Sequence, residues 1–346
     1  MGKGVQEEKK TLMENKENLG VNLGLKTMPP MADMSFLSCT EIFCDPQPSQ
    51  EVLMEVVKPE KQHFPLLPKV LQVPAQSDQR ILEDSRVLAN LLRGEQRYLP
   101  RTPDYFSNVQ VEVKPHMRKI VADWMLEVTN ECSPPEVFCL AINLMDRFLA
   151  KCRIQKSQLQ LVGAVCLFLA SKFKETSPLT SDKLAMYTDF SASPEDIKEW
   201  ELLVLYKLKW DLCAATGLDF LDHILPRLPI HPYIDLLSLR RHVETSVALS
   251  CTLYTFAYTR PSVIAASSIA LALRSMTPRF TEEGARTFLH TLQEVTGSSS
   301  SELETTSNAL LASLPAYLTQ PQTSGDTSQT VLVSSFEKTS LMVKSC

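Results

Sequence analysis

Glycine is scarce in this chain, 10 of 346 residues, and aromatic residues make up only 7%. So little glycine argues against phosphate-cradling loops and against a turn-dense all-β fold, which leaves long helices as the economical reading. No C-x-x-C occurs, and the nine cysteines (Cys39, Cys44, Cys132, Cys139, Cys152, Cys166, Cys213, Cys251, Cys346) are odd in number and scattered. Neither a zinc site nor a disulfide framework is expected. Several of these cysteines fall inside apolar helical stretches, where a thiol packs as a small hydrophobe, so a reducing intracellular compartment fits. Also missing are H-E-x-x-H, G-x-S-x-G, the P-loop and G-x-G-x-x-G. The histidines (His63, His116, His223, His231, His242, His290) never stand at i, i+4 on one helix. No catalytic residue, no metal site and no cofactor is expected, and a binding module is favoured by elimination.

Nor is there an excess of positive charge. The chain sets 35 Lys and Arg against 40 Asp and Glu, a formal net charge of −5. That balance argues against nucleic acid as a partner and offers no polybasic membrane signal. No apolar segment reaches about 18 residues without a charge, so no membrane span is expected. The start, MGKGVQEEKK, puts charges where a secretory signal needs an apolar run. Gln6 replaces the Ser or Thr that would follow Gly2 in a myristoylation site. A soluble protein of the nucleus and cytoplasm is expected.

At roughly 150 residues per domain, the length allows about two domains and a surplus. Residues 1–76 mix a charged start with a proline-spaced middle and hold no sustained helical period, so they read as a disordered arm. Residues 319–346, rich in Ser and Thr, read as a disordered tail. Between them the sequence is helix after helix. Asp78 precedes Ile81, Leu88, Leu91 and Leu92; Pro115 opens a stretch with Met117, Ile120, Val121, Trp124, Met125 and Val128; and Pro134 and Pro135 open another with Val137, Leu140, Leu144 and Phe148. QLQLVGAVCLFLASKF (158–173) is apolar nearly all round, which predicts a helix buried on every side. Ser193-Pro194-Glu195-Asp196 supplies an N-cap, a first-turn proline and acids. Thr216 with Asp219 predicts another start, a long run follows over 236–258, Pro261 opens VIAASSIALALRSM, and Thr281 and Ser301 mark the last two starts. The two small-residue helices align at an offset of 102, Leu161 on Val263 and Ala170 on Ala272 among the pairs, which suggests two similar units of about 100 residues.

Four segments of the first unit agree in order and spacing: MRKIVADWMLE (117–127), AINLMDRFL (141–149), QLQLVGAVCLFLASKFKET (158–176) and EWELLVLYKLKWDL (199–212). Together they resemble a cyclin box, and KETSPLT (174–180) followed by KLAMYTDFS (183–191) resembles the D-type (G1/S-specific) cyclins in particular. The resemblance implies an all-α fold: an N-terminal box over 77–213, preceded by an extra helix, and a C-terminal box over 214–318, each of five helices. It implies a regulatory subunit that binds and activates a cyclin-dependent kinase at the G1/S transition, without enzymatic activity of its own. In the family a Lys at the end of the third helix and a Glu in the fifth contact the kinase beside its mobile C helix; the matching residues are Lys172 and Glu201. On the residues alone a helix-end charge and a solvated face is the favoured reading of this pair.

The stripe Met117, Ile120, Val121 and Trp124, bordered by Glu127, matches the family's shallow groove for Arg-x-Leu segments of substrates and kinase-inhibitor proteins. By spacing alone it reads as core. Ala122 and Leu126 give the same helix a second apolar arc, which leaves room for the first to be partly exposed. Leu37, Cys39 and Glu41 form an L-x-C-x-E, which D-type cyclins carry near the amino terminus for retinoblastoma-type pocket proteins. Lys16-Glu17-Asn18 matches a KEN motif in a region where chance alone would produce one. The acidic run and Thr-Pro site expected in a D-type tail are absent after residue 319. The alternatives are a cyclin-fold transcription factor and a helical scaffold with no kinase partner.

Overall fold

The computed structural model describes residues 78–230, 233–276 and 282–313. Among them every regular element is helical. Two short helices come first, α1 (Gln79–Glu83) and α2 (Ser85–Gly94), capped by Asp78 and Asp84, whose carboxylates accept from Arg80 N and Arg86 N at 2.9 Å. A 3₁₀ turn over Glu95–Tyr98 and α3 (Tyr105–Asn108) lead into a five-helix unit. This unit comprises α4 (Pro115–Cys132), α5 (Pro135–Leu149), α6 (Leu159–Lys174), α7 (Ser181–Tyr187) and α8 (Pro194–Leu208). The second unit holds α9 (Leu221–Ile224), α10 (Leu236–Thr252), α11 (Pro261–Met276), α12 (Glu282–Thr296) and α13 (Ser300–Ser313).

Local chemistry explains most starts. Pro115, Pro135 and Pro194 stand at first-turn positions, where the missing amide costs nothing. Ser193 and Asp196 cap α8 reciprocally, Ser193 Oγ accepting from Asp196 N and Asp196 Oδ2 from Ser193 N, both at 3.0 Å. The all-round apolar segment is α6, buried continuously from Val162 to Ser171 because it packs on α4, α5, α7 and α8. Its counterpart α11 is buried from Pro261 to Leu273 and packs on α10, α12 and α13. The offset of 102 seen in the sequence carries both ends of α6 onto both ends of α11.

Three expectations need correcting. The start at Thr216 and Asp219 is present, with Asp219 Oδ2 accepting from Thr216 N at 2.7 Å, but α9 is a single turn. Pro226 lacks the amide that the next turn needs, so the chain passes into a 3₁₀ turn over Leu225–Arg227. The run over 236–258 stops at Thr252, because the carbonyls of Cys251 and Thr252 accept hydrogen bonds from Arg118 (3.0 and 2.8 Å) instead of from further helical amides. The last helix is capped by Ser299, whose Oγ accepts from Glu302 N at 3.2 Å, two residues before the expected Ser301.

Arg118 also joins the two units. Its Nε and Nη2 bind both oxygens of Asp146 on α5, at 2.8 and 2.7 Å, and Tyr105 Oη donates to Asp146 Oδ1 at 2.8 Å. Both charged side chains are almost wholly buried, 1% and 5% exposed. Burial pulls the Arg118 pKa down, but Asp146 beside it more than offsets this and the net shift is upward. A second tie runs from the start of the chain's helical region: buried Glu95 accepts from Ser262 N (2.9 Å) and Ser262 Oγ (2.8 Å) at the N-terminus of α11. Burial pushes the Glu95 carboxyl up. Replacing Arg118 by Met leaves Asp146 buried without its cation, and we expect a loss of about 3–5 kcal/mol in urea unfolding. Adding Asp146→Leu to Arg118→Met should restore much of it, since both charges are then gone; a double variant no more stable than the single would contradict the pairing argument.

Candidate functional site

Lys172 lies in the last turn of α6, where a cation meets the negative end of the helix dipole. Glu201 lies on α8. The two meet: Lys172 Nζ sits 2.8 and 3.0 Å from the two carboxylate oxygens of Glu201, and 3.9 Å from the centroid of the Phe168 ring. The lysine remains 43% exposed and the glutamate 16%. An ion pair this open contributes about 0–1 kcal/mol, so its groups can be handed to another partner at little cost.

Phe173 and Leu202, each next in sequence to a member of the pair, stand in solvent, and so does Trp210 just beyond the C-terminal end of α8. Phe173 is 48% exposed, Leu202 62% and Trp210 68%. Trp210 N donates to Leu205 O at 2.9 Å, which folds the tryptophan back over the C-terminal end of α8. The sequence reading missed these three. A signal was available for Leu202: with Tyr206 it forms an i, i+4 pair outside the arc of Ile197, Trp200, Val204 and Leu208 that faces the core.

The second candidate, the α4 stripe, is indeed only partly covered. Ala122, Met125 and Leu126 are buried, whereas Met117, Val121, Trp124 and Glu127 are half-buried and Ile120 is exposed. Behind the stripe, Gly163 of α6 allows close approach: a Cβ there would lie 2.8 Å from Val121 Cγ1 and 3.2 Å from Met125 Sδ. Trp124 Nε1 donates to Tyr187 O at 3.2 Å, which fixes the indole at the edge of the stripe. One turn before Gly163, Gln160 accepts from Ser191 Oγ at 3.2 Å. Burial pushes the Glu127 carboxyl up, and Asp123 and Glu131 one turn away on either side add to it. Glu127 therefore offers a crowded anionic edge to a basic ligand. Leu37, Cys39 and Glu41, with Lys16, Glu17 and Asn18, lie outside the described residues.

The family model for the cyclin N-terminal domain matches residues 86–213, and that for the cyclin C-terminal domain matches residues 215–340. The G1/S-specific cyclin-D2 of Xenopus laevis is 52% identical over 201 residues, 58% of this chain and 68% of the relative. The G1/S-specific cyclin-D3 of Homo sapiens gives the same figures, 52% over 201 residues, 58% of this chain and 68% of the relative. The chain belongs to the D-type cyclins. A solved viral cyclin from herpesvirus saimiri shares the fold, with a TM-score of 0.56 and 24% identity over 67% of this chain and 100% of that one. As a D-type cyclin the chain is a regulatory rather than a catalytic protein, with a part in G1/S control, and its two five-helix units are the two cyclin boxes.

Within this D-type cyclin, Gly163 sets how deep the stripe sits. Gly163→Ala drives a methyl into Val121, whose β-branched side chain has little freedom to yield. We expect a destabilisation of about 1–3 kcal/mol, read by urea unfolding. Wild-type stability in the variant would mean that α4 and α6 can part without cost.

Proposed function

We propose that this D-type cyclin binds and activates a cyclin-dependent kinase and directs it towards retinoblastoma-type pocket proteins in the nucleus and cytoplasm. The observation that carries the reading is the Lys172–Glu201 pair, open to solvent at the lysine, with exposed Phe173 and Leu202 next to it in the chain. Fully buried apolar side chains would be inert here; exposed ones beside a weak ion pair make an interface that is complete only with a partner.

The chemistry suits a helix and its flanking loop. A lysine ammonium offers three donors and a carboxylate several acceptor sites, enough to hold the free backbone groups at the end of a partner helix while the aromatic residues cover its apolar face. In a kinase of this class, a glutamate on the mobile C helix must meet the β3 lysine before the phosphates are positioned. A rigid surface that binds only the inward C helix favours the competent state by the difference between its two affinities. The cyclin performs no bond chemistry; it shifts a population.

Substrate choice follows from two further elements. The stripe Met117, Ile120, Val121 and Trp124 takes Arg-x-Leu segments of substrates and of kinase-inhibitor proteins, the leucine against the apolar floor and the arginine towards Glu127. The segment Leu37-x-Cys39-x-Glu41 takes the pocket protein as an extended peptide, with Leu and Cys in small apolar pockets. Two sites on one chain raise the effective concentration of a substrate that engages both.

Immobilised Lys172→Ala/Glu201→Ala double variant should capture about tenfold less cyclin-dependent kinase than wild type, with its helix content unchanged by circular dichroism. Equal capture would remove these two residues from the interface. A peptide spanning residues 33–47 should bind a pocket protein, and its Glu41→Lys version should bind about tenfold more weakly. Equal retention of the two peptides would sink the recruitment reading while leaving the kinase reading intact.

A further inference from the structure

The chain is acidic overall, yet cations gather where the C-terminal ends of α5 and α8 meet the loop before α3. Three hydrogen bonds bring them together. Thr102 Oγ1 donates to Ala150 O at 2.9 Å, which sets Arg101 beside Lys151. Lys151 Nζ donates to Lys207 O at 3.1 Å, and Arg147 Nη2 to Asp211 O at 2.8 Å. Arg101, Lys151 and Lys209 thereby share one small region of surface, with buried Arg147 near enough to Lys151 to act on its charge. The acid placed among them, Asp211, is already engaged by Arg97 Nη2 at 2.6 Å and Tyr98 Oη at 3.1 Å. Arg101, Lys151 and Lys209 are exposed, and none of them forms an ion pair among the described residues.

We propose that this cluster is a docking site for a phosphorylated side chain carried by a partner polypeptide. Like charges held this close repel one another unless an anion lies between them. The crowding is visible in Lys151, whose ammonium is pushed below its ordinary pKa by partial burial and then by Arg147, Arg101 and Lys209. The backbone adds to the crowding. Lys209 and Trp210 are both left-handed, at φ 58° and 57°, which is unfavourable for side chains of this size, and the turn holds Lys209 out at the surface beside Lys151. With one N–H spent on Lys207 O, Lys151 keeps two for a ligand; Lys209 brings three and Arg101 its planar fork.

That set of donors suits a dianion. A phosphate presents three acceptor oxygens and nearly two charges, whereas a single carboxylate would leave most of the cluster uncompensated. A peptide fits better than a nucleic acid, because the cations converge on one point instead of following a track, and the net charge of −5 repels a long polyanion. The proposal rests neither on the Met117–Trp124 stripe nor on the L-x-C-x-E segment.

The test uses the full chain and a fluorescein-labelled peptide of glycine and alanine around one phosphoserine, followed by anisotropy. Three comparisons accompany it: the unphosphorylated peptide, an oligothymidylate strand of similar length, and Lys114→Glu as a charge reversal elsewhere on the surface. The phosphopeptide should bind about tenfold more tightly than its unphosphorylated form, and about tenfold more weakly to Lys151→Glu/Lys209→Glu, with Lys114→Glu like wild type. Lys209→Gln alone, a change at an exposed side chain that leaves the core untouched, should already weaken binding about threefold. No preference for phosphate, equal binding by both cluster variants, or stronger binding of the oligothymidylate would each overturn the proposal, the last in favour of nucleic acid.

Discussion

The desolvated pair of Arg118 and Asp146 sets the register of everything around it. An arginine buried to 1% exposure can sit in only one place, with its fork on Asp146 and its remaining donors on the last carbonyls of α10. Once position 118 points inward, the 3.6-residue repeat sends Ala122, Met125 and Thr129 to the same side, and these are buried. Met117, Ile120, Val121 and Trp124 are then turned towards the surface. The half-buried stripe is thus a consequence of where one buried charge must lie, and the same guanidinium fixes the second box against the first by ending α10.

Helix α6 does for the surfaces what Arg118 does for the boxes. Small residues along it let four neighbours approach, and the tightest contact, at Gly163, forms the floor under Val121 and Trp124. Lys172 follows nine residues later on the same helix, about 14 Å along its axis. Helix α6, buried nearly throughout, therefore underlies the α4 stripe at Gly163 and carries Lys172 in its last turn. The helix has no soft joint between these two points, so Gly163 and Lys172 are held at a fixed distance from each other.

How far the sequence could be read depended on the range of the interaction responsible. The starts at Pro115, Pro135 and Ser193 were legible because each is set within a few residues, by a missing amide or by a side chain reaching the next turn. The buried character of α6 and α11 was legible from apolar residues on every face. The end of α10 was not, since it depends on an arginine more than a hundred residues earlier in the chain. Arg118 itself hides among Lys119, Asp123 and Glu127 and reads as one more solvated charge until Asp146 is placed opposite it. Lys172 and Glu201 were nameable only through their likeness to a family. The exposure of Phe173 and Trp210 needed the tertiary structure, because an aromatic residue at the end of a helix is ordinarily covered by something.

Two of the ion pairs of this molecule, Arg118–Asp146 and Lys172–Glu201, differ in their exposure to water. Arg118 and Asp146 are dry, so removing either partner strands a charge and is costly; such a pair specifies one arrangement and cannot be exchanged in a working cycle. Lys172 and Glu201 are wet, and the pair contributes little to holding the fold. What the wet pair does is hold the two side chains on each other, with the lysine also resting on Phe168, so that neither is left to roam its rotamers. A site of this kind must be satisfied when alone and easy to undo when met. On the proposed reading the weakness of the open pair suits a surface that must exchange partners, whereas the buried pair fixes the arrangement of the fold.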